Sequence, residues 1–149
     1  LEKKYADINS TITDALKNIQ SQYPVTIHFE PQQSIFTHVD PDKLYQVLLN
    51  VLMNAAQALG NQEGTITITS RTVKIRGKAF AEITVADTGP GFKENPSRIF
   101  EPFFTTKTQG TGLGLAVCRS IVEKHDGTIS AASTAQGAEN TIRLPMIES

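Results

Sequence analysis

One stretch constrains this chain more than any other. Asp40-Pro41 pairs a side chain able to cap a helix with a proline suited to its first turn. Behind it, Leu44, Val47, Leu48, Val51, Leu52 and Ala55 recur at helical spacing as far as about Leu59. This predicts a long helix with one face in a core. Its polar side is unusual: Gln46, Asn50, Asn54 and Gln57 form an uncharged stripe. A merely solvated face usually carries Glu, Lys or Arg, which are better helix formers than Asn. Asn50 and Asn54 share one helical face. Their neutral amide oxygens suit a Mg²⁺ shell made mostly of phosphate oxygens and water.

Around this helix the pattern mixes helices and strands. Ile8, Ile12, Ala15, Leu16 and Ile19 predict an amphipathic helix from Asp7 to Tyr23, ended by Pro24. Alternation predicts strands at 25–30, 35–39, 65–71, 79–86, 128–132 and 141–144, with a hairpin through Gly77. A third helix is predicted from Gly112 to Lys124. Strict strand–helix alternation is missing, so the expected architecture is a mixed sheet of about five strands packed on three helices, in the α/β (α+β) class. The length of 149 residues fits one domain, 1–149, and 39% hydrophobic residues suffice for one core. With a net charge of −1 and scattered basic residues, nothing points to a nucleic-acid footprint or a membrane-surface patch. No stretch approaches the roughly 20 apolar residues of a membrane span. The lone Cys118 excludes an internal disulfide, fits a reducing cytoplasm and reads as a small core residue. The opening Leu1-Glu2-Lys3-Lys4 reads as mid-helix, as in a piece of a longer protein.

Three further motifs carry chemistry. Asp87-Thr88-Gly89-Pro90-Gly91 follows an apolar strand. It is an ordinary Asp turn, or a carboxylate placed to accept the exocyclic amine of adenine while glycines let the base approach. Gly110-Thr111-Gly112-Leu113-Gly114 opens the third helix, either as a hinge or as an anion site at a helix N-terminus. It is not a dinucleotide fingerprint: its third glycine comes one position early and no strand precedes it. A Walker loop is absent too. Between the two motifs, Phe100, Phe103 and Phe104 sit in a stretch without period, serving as core packing for a loop base or as part of a lid over a ligand.

Taken in order, Asn50 to Ala55, Asp87 to Gly91, Phe100 to Phe104 and Gly110 to Leu115 resemble the N, G, F and second G boxes of histidine protein kinases. Glu101 to Lys107 and Ile121 to Gly127 are similar to the nitrogen-regulation branch of sensor kinases, and Gly137 to Pro145 to the closing glycine box. The resemblance covers roughly Asp7 to Pro145. It implies the two-layer Bergerat-type ATP-binding sandwich shared with gyrase, heat-shock-90 and mismatch-repair ATPases. It implies ATP and Mg²⁺ as ligands, with Asn54 and then Asn50 at the metal and Asp87 on the adenine amine. Gly89 and Gly91 lie under the base. Phe100, Gly110, Thr111, Gly112, Leu113 and Gly114 belong to the lid and phosphate contacts, and Thr141 supports Asp87. Many members have Lys or Arg where this chain has Gln57, so Lys107 becomes the expected cation at the terminal phosphates. No histidine box occurs, and His28, His38 and His125 read as structural. The expected partners are therefore a histidine-containing dimerisation domain of the same parent, with residues 1–6 as linker remnant, and a response regulator. Asn50 stands where the related ATPases carry a water-activating glutamate. That disfavours the alternative of an ATP-driven conformational machine, and the intact motifs disfavour a degenerate binding module.

Overall fold

The computed structural model describes residues 1–60, 64–91, 99–101 and 114–146. The elements run β1 (Lys4–Asp7), α1 (Ile8–Gln22), β2 (Thr26–Phe29), β3 (Phe36–Val39), α2 (Pro41–Leu59), β4 (Thr65–Ile75), β5 (Lys78–Asp87), α3 (Gly114–Lys124), β6 (Thr128–Ser133) and β7 (Ala138–Pro145). Five strands form one sheet in the order β2-β4-β5-β7-β6. The β2–β4 pair is parallel and the remaining pairs are antiparallel, so the sheet is mixed. The α/β two-layer expectation of five strands and three helices holds.

Alternation decides which face is covered. Ile66, Ile68, Ala81, Ile83, Val85, Ile142 and Leu144 project to the helical side and are buried. They meet Leu44, Val47, Leu48, Val51 and Leu52 of α2 in one core, with Ile8, Ile12 and Ile19 of α1 and Cys118 and Val122 of α3. Each such aliphatic side chain contributes about 1.5–3 kcal/mol by leaving water. The opposite face carries Thr67, Thr69, Thr84, Ser130 and Thr141, in register across four strands. At its centre Glu82 is buried between Arg71 and Arg143, each donating from Nε at 2.8 Å. Burial pushes the Glu82 carboxyl up, but the hydrogen bonds from Arg143 and Arg71 outweigh it and hold the group below its ordinary value.

Asp40 caps α2 by accepting from Lys43 N at 3.2 Å, with Pro41 in the first turn. The same carboxylate accepts Glu2 N at 2.9 Å, and this hydrogen bond is the chief reason its pKa is lowered. His125, just past α3, is buried. Its Nε2 accepts Asp40 N at 3.0 Å, so Nδ1 carries the proton and donates to Ile121 O at 2.8 Å. This ring joins the end of α3 to the start of α2, which bears out its structural reading.

Three readings change. The first residues are not mid-helix: Lys4–Asp7 pairs antiparallel with β3, where Tyr5 stacks on Phe36 at 5.5 Å. The hairpin is longer than its apolar run. Pairing continues from Arg71↔Glu82 to Ile75↔Lys78 around Arg76 (φ 51°) and Gly77 (φ 80°), the backbone of a tight hairpin turn. Polar residues hide the extension, because they lie on the open face or beyond the core. The last strand starts at Ala138, not Thr141, because the register brings Ala138 opposite both Asp87 and Ser133.

Candidate functional site

β5 ends on Asp87, which is 6% exposed although it ends a strand. It points to the helical face of the sheet, like Val85 two residues earlier. Its Oδ1 accepts Gly89 N at 2.8 Å, an Asx turn that fixes the carboxylate. Burial pushes its pKa up, and the hydrogen bonds from the Gly89 and Ala138 amides work against that rise. A carboxylate held this way can accept from an amine without first reorganising.

The surroundings are small by necessity. A Cβ on Gly137 would collide with the carbonyl oxygen of Asp87, and one on Gly89 would lie 2.9 Å from Asp87 Oδ1. Gly91 has φ +80°, and a Cβ there would press on Gly137 O and Ser133 Oγ, each at 3.3 Å. The Asp87–Gly91 turn also abuts the last turn of α2, where Ala58 O lies 3.5 Å from the Cβ position of Gly89. Thr88 ties the turn to β4: its N donates to Thr65 O at 3.2 Å, and its Oγ1 accepts Thr65 N at 3.0 Å.

One helical turn below Ala58 comes Asn54, and one below that Asn50, both half-buried. The amide of Asn50 donates to Gln46 O at 3.1 Å. Its Oδ1 lies 3.2 Å from the Cβ position of Gly114, the first residue of α3, so the acceptor end of Asn50 faces the start of that helix. Cys118, fully buried beneath, donates to Val47 O at 3.7 Å. Burial pushes its thiol up to about 12, with a hydrogen bond from Asn50 acting in the opposite sense. It is a core residue and not a reactive thiol. The Asp87–Gly91 turn thus meets α2 at Ala58 and the start of α3 meets it at Asn50, two helical turns below, with Asn54 between them in sequence.

A family model described as "Histidine kinase-, DNA gyrase B-, and HSP90-like ATPase" matches residues 39–148. The chain belongs to this family. Among curated relatives, the sensor histidine kinase ZraS of Klebsiella oxytoca is 40% identical over 98% of this chain and 32% of its own length. The sensory histidine kinase/phosphatase NtrB of the same organism is 37% identical over 79% of the chain and 36% of its own length. The chain spans about a third of the length of these histidine kinases. Among solved structures, the mycobacterial sensor histidine kinase MprB superposes with a TM-score of 0.85 at 25% identity, covering 97% of both chains. The catalytic domain of histidine kinase ThkA gives 0.82 at 32% identity, covering 97% of this chain and 96% of its own. The sandwich is therefore the ATP-binding fold of histidine kinase catalytic domains, and its relatives include the nitrogen-regulation type.

The remaining residues expected at a histidine kinase site divide. Gln57 is exposed and donates from Nε2 to Tyr23 Oη at 3.3 Å, toward the end of α1. Phe100 is buried; with Glu101 it borders a depression over α3 lined by Ala116, Arg119 and Ser120. Thr141 pairs with Thr84 on the open face of the sheet, so strand alternation takes it away from Asp87. Lys107, Gly110, Thr111, Gly112 and Leu113 lie outside the described residues, as does the expected lid apart from Ile99 to Glu101. One contact to Asp87 was missed, the Ala138 amide, and so was the burial of Asn140 two residues further along the same strand. Counting by twos back from the buried Leu144 puts both on the core face, a signal the late strand boundary concealed.

No helix among the described residues is long and apolar enough to cross a membrane.

Proposed function

We propose that this chain binds ATP with Mg²⁺ and presents the γ-phosphoryl to a histidine of a separate dimerisation domain in the same parent protein, which passes it to a response regulator. The observation that carries this reading is the buried Asp87, held by the Gly89 and Ala138 amides in a turn that packs on Ala58 of α2. Asp87 accepts the exocyclic amine of adenine. Guanine offers an oxygen at that position and would meet the carboxylate acceptor to acceptor.

The donor set fits Mg²⁺. Among the described residues no cluster of three His, Cys, Asp or Glu could hold a metal. A Mg²⁺ ion here would take amide oxygens from the protein and the rest of its shell from phosphates and water, all hard oxygen ligands. Asn54 would hold it, with Asn50 beside it. When bound, it supplies charge neutralisation along the phosphates. The start of α3 at Gly114 faces Asn50 and offers helix N-terminal amides to an anion. Lys107 is assigned to the γ-phosphate.

In the transfer, the lone pair of a neutral imidazole nitrogen attacks the γ-phosphorus and the bond to the bridging oxygen breaks. ADP leaves with that electron pair, and the imidazole sheds its other ring proton. Little covalent help is needed from this chain, whose part is positioning and charge. Asn50 cannot take a proton from water, so the site holds ATP for a partner instead of hydrolysing it. The test mixes the chain and ATP–Mg²⁺ with the histidine-bearing helical domain of its parent. Acid-labile, base-stable phosphate on that domain is expected, with slow hydrolysis in its absence. Fast hydrolysis without the partner and no phosphohistidine would favour a conformational ATPase.

A further inference from the structure

Cys118 has no part in the mechanism above, yet it is hydrogen-bonded to one of the carboxamides that the site relies on. It is fully buried in the apolar core, where a valine would fill nearly the same space without a polar atom. Its thiol donates to Val47 O on α2 at 3.7 Å. Asn50, also on α2, bonds the sulfur in turn. That bond acts to lower the thiol pKa, so it is donated to sulfur; an acceptor beside the thiol would act the other way. The sulfur is therefore a relay, taking a hydrogen from Asn50 and giving its own to Val47 O.

The Asn50 carboxamide has two donor hydrogens on Nδ2 and one acceptor oxygen. One hydrogen goes to Gln46 O at 3.1 Å and the other to Cys118 Sγ. With both donors engaged, Oδ1 faces the start of α3, 3.2 Å from the Cβ position of Gly114. Gly114 and Cys118 are four apart on α3 and share a face. The glycine lets the carboxamide come close, and the cysteine one turn later fixes its direction. A flipped amide would set Oδ1 against Gln46 O, acceptor to acceptor, and take the donated hydrogen away from the sulfur.

We propose that Cys118 is a positioning residue for the phosphate end of the nucleotide site: its sulfur holds the Asn50 carboxamide with the oxygen turned to the α3 N-terminus, the side assigned to Mg²⁺ and phosphate. This rests on the nucleotide reading above and extends it to a core residue that never touches the ligand. The amide is then ordered in the empty protein, and binding does not have to order it.

The experiment compares wild type, Cys118→Val and Cys118→Ser by calorimetry of ADP with and without Mg²⁺, and by thermal melts. Valine fills the site but accepts nothing. Serine keeps both links of the relay but sets a hydroxyl in the apolar core. Cys118→Val is expected to bind ADP–Mg²⁺ about three- to tenfold more weakly, with ADP alone changed by less than about twofold. Cys118→Ser should stay within about twofold of wild type for both. Melting temperatures should run in the opposite order, with Cys118→Val above Cys118→Ser. A packing role alone cannot give opposite orders of affinity and stability. Affinities that follow the melting temperatures, or wild-type affinity in Cys118→Val, would overturn the proposal. Should Cys118→Ser not fold, the side-chain amide NMR signals of Asn50 in wild type and Cys118→Val decide. Faster exchange of one Nδ2 hydrogen in the variant supports the relay, and unchanged exchange overturns it. A wild-type chain that binds no adenine nucleotide, with those hydrogens still protected, would sink the nucleotide reading. The positioning role would fall with it, leaving Cys118 to hold Asn50 for the fold alone.

Discussion

Replacing Asp87 with Asn should move binding and stability in opposite directions. The change keeps shape and one acceptor oxygen for Gly89 N, now 2.8 Å away, but removes the charge. A hydrogen bond to a charged group contributes about 1.5–3 kcal/mol, so ADP–Mg²⁺ affinity should fall on the order of 10- to 150-fold. ATP should lose the same factor, because the base and not the γ-phosphate is affected. Stability runs the other way. Burial raises the native pKa of Asp87 above 3.8. The native state therefore binds this proton more tightly than the unfolded chain does. Its contribution to stability is complete below 3.8 and is lost as pH rises through the native pKa. Asn has no such loss. The apo variant should thus be more stable than wild type at neutral pH, with the advantage fading as pH falls toward 3.8. Calorimetry and melts between pH 3 and pH 8 (roughly the span that the linkage argument needs) read both effects. Unchanged ADP affinity would refute the adenine role. A variant less stable than wild type at neutral pH would refute the argument that buried charge is held there at a cost.

Other perturbations separate the remaining groups. Asn54→Ala should weaken Mg²⁺-dependent ATP binding by roughly tenfold or more, about 1.4 kcal/mol, and abolish transfer while far-ultraviolet dichroism stays unchanged; full activity would remove Asn54 from the site. Lys107→Ala should weaken a non-hydrolysable ATP analogue by about 1–2 kcal/mol, the scale of one charged contact, and leave ADP binding nearly intact, which competition titrations would show. Glu82→Gln should erase a pH-dependent share of stability. The lowered pKa of Glu82 makes that share present above 4.5 and lost as pH falls through the native value, so melts of wild type and variant should converge in acid.

The helices and the sheet were legible because their apolar periods are strong. Val47, Leu48 and Val51 name the buried side of α2 without any coordinates, and the capping Asp40 names its start. Asn50 and Asn54 stood out because a solvated helix face usually carries charge, and Asp87 because glycines follow it at the end of an apolar strand. What escaped depends on contacts distant in sequence. Lys4–Asp7 becomes a strand only because β3 offers it an edge and Phe36 a ring for Tyr5. The extra length of β4 and β5 comes from cross-strand pairs such as Arg71 and Glu82, whose polarity reads as loop. Thr141 was assigned to Asp87 by motif, while the register gives that face to Ala138 and Asn140. One residue along a strand turns a side chain to the other side of the sheet, and no composition or motif carries that parity until both strand ends are known.

The long β4–β5 hairpin bears on the order in which the chain assembles. Its pairs, from Ile75↔Lys78 out to Ile66↔Asp87, join residues close in sequence and zip from a tight turn. The parallel pairing of β2 with β4 must instead wait for a crossover through β3 and α2. Short loops close sooner than long ones, so local pairings form first. Pulse-labelled hydrogen exchange during refolding should protect Val85 and Ala86 before Ile27 and Phe29. Asp87, at the far end of the hairpin, would then be held in its strand while the carboxamide face of α2 was still undocked. Damage to that helix would accordingly leave a partly folded chain with its base-reading strand in place and nothing opposite it.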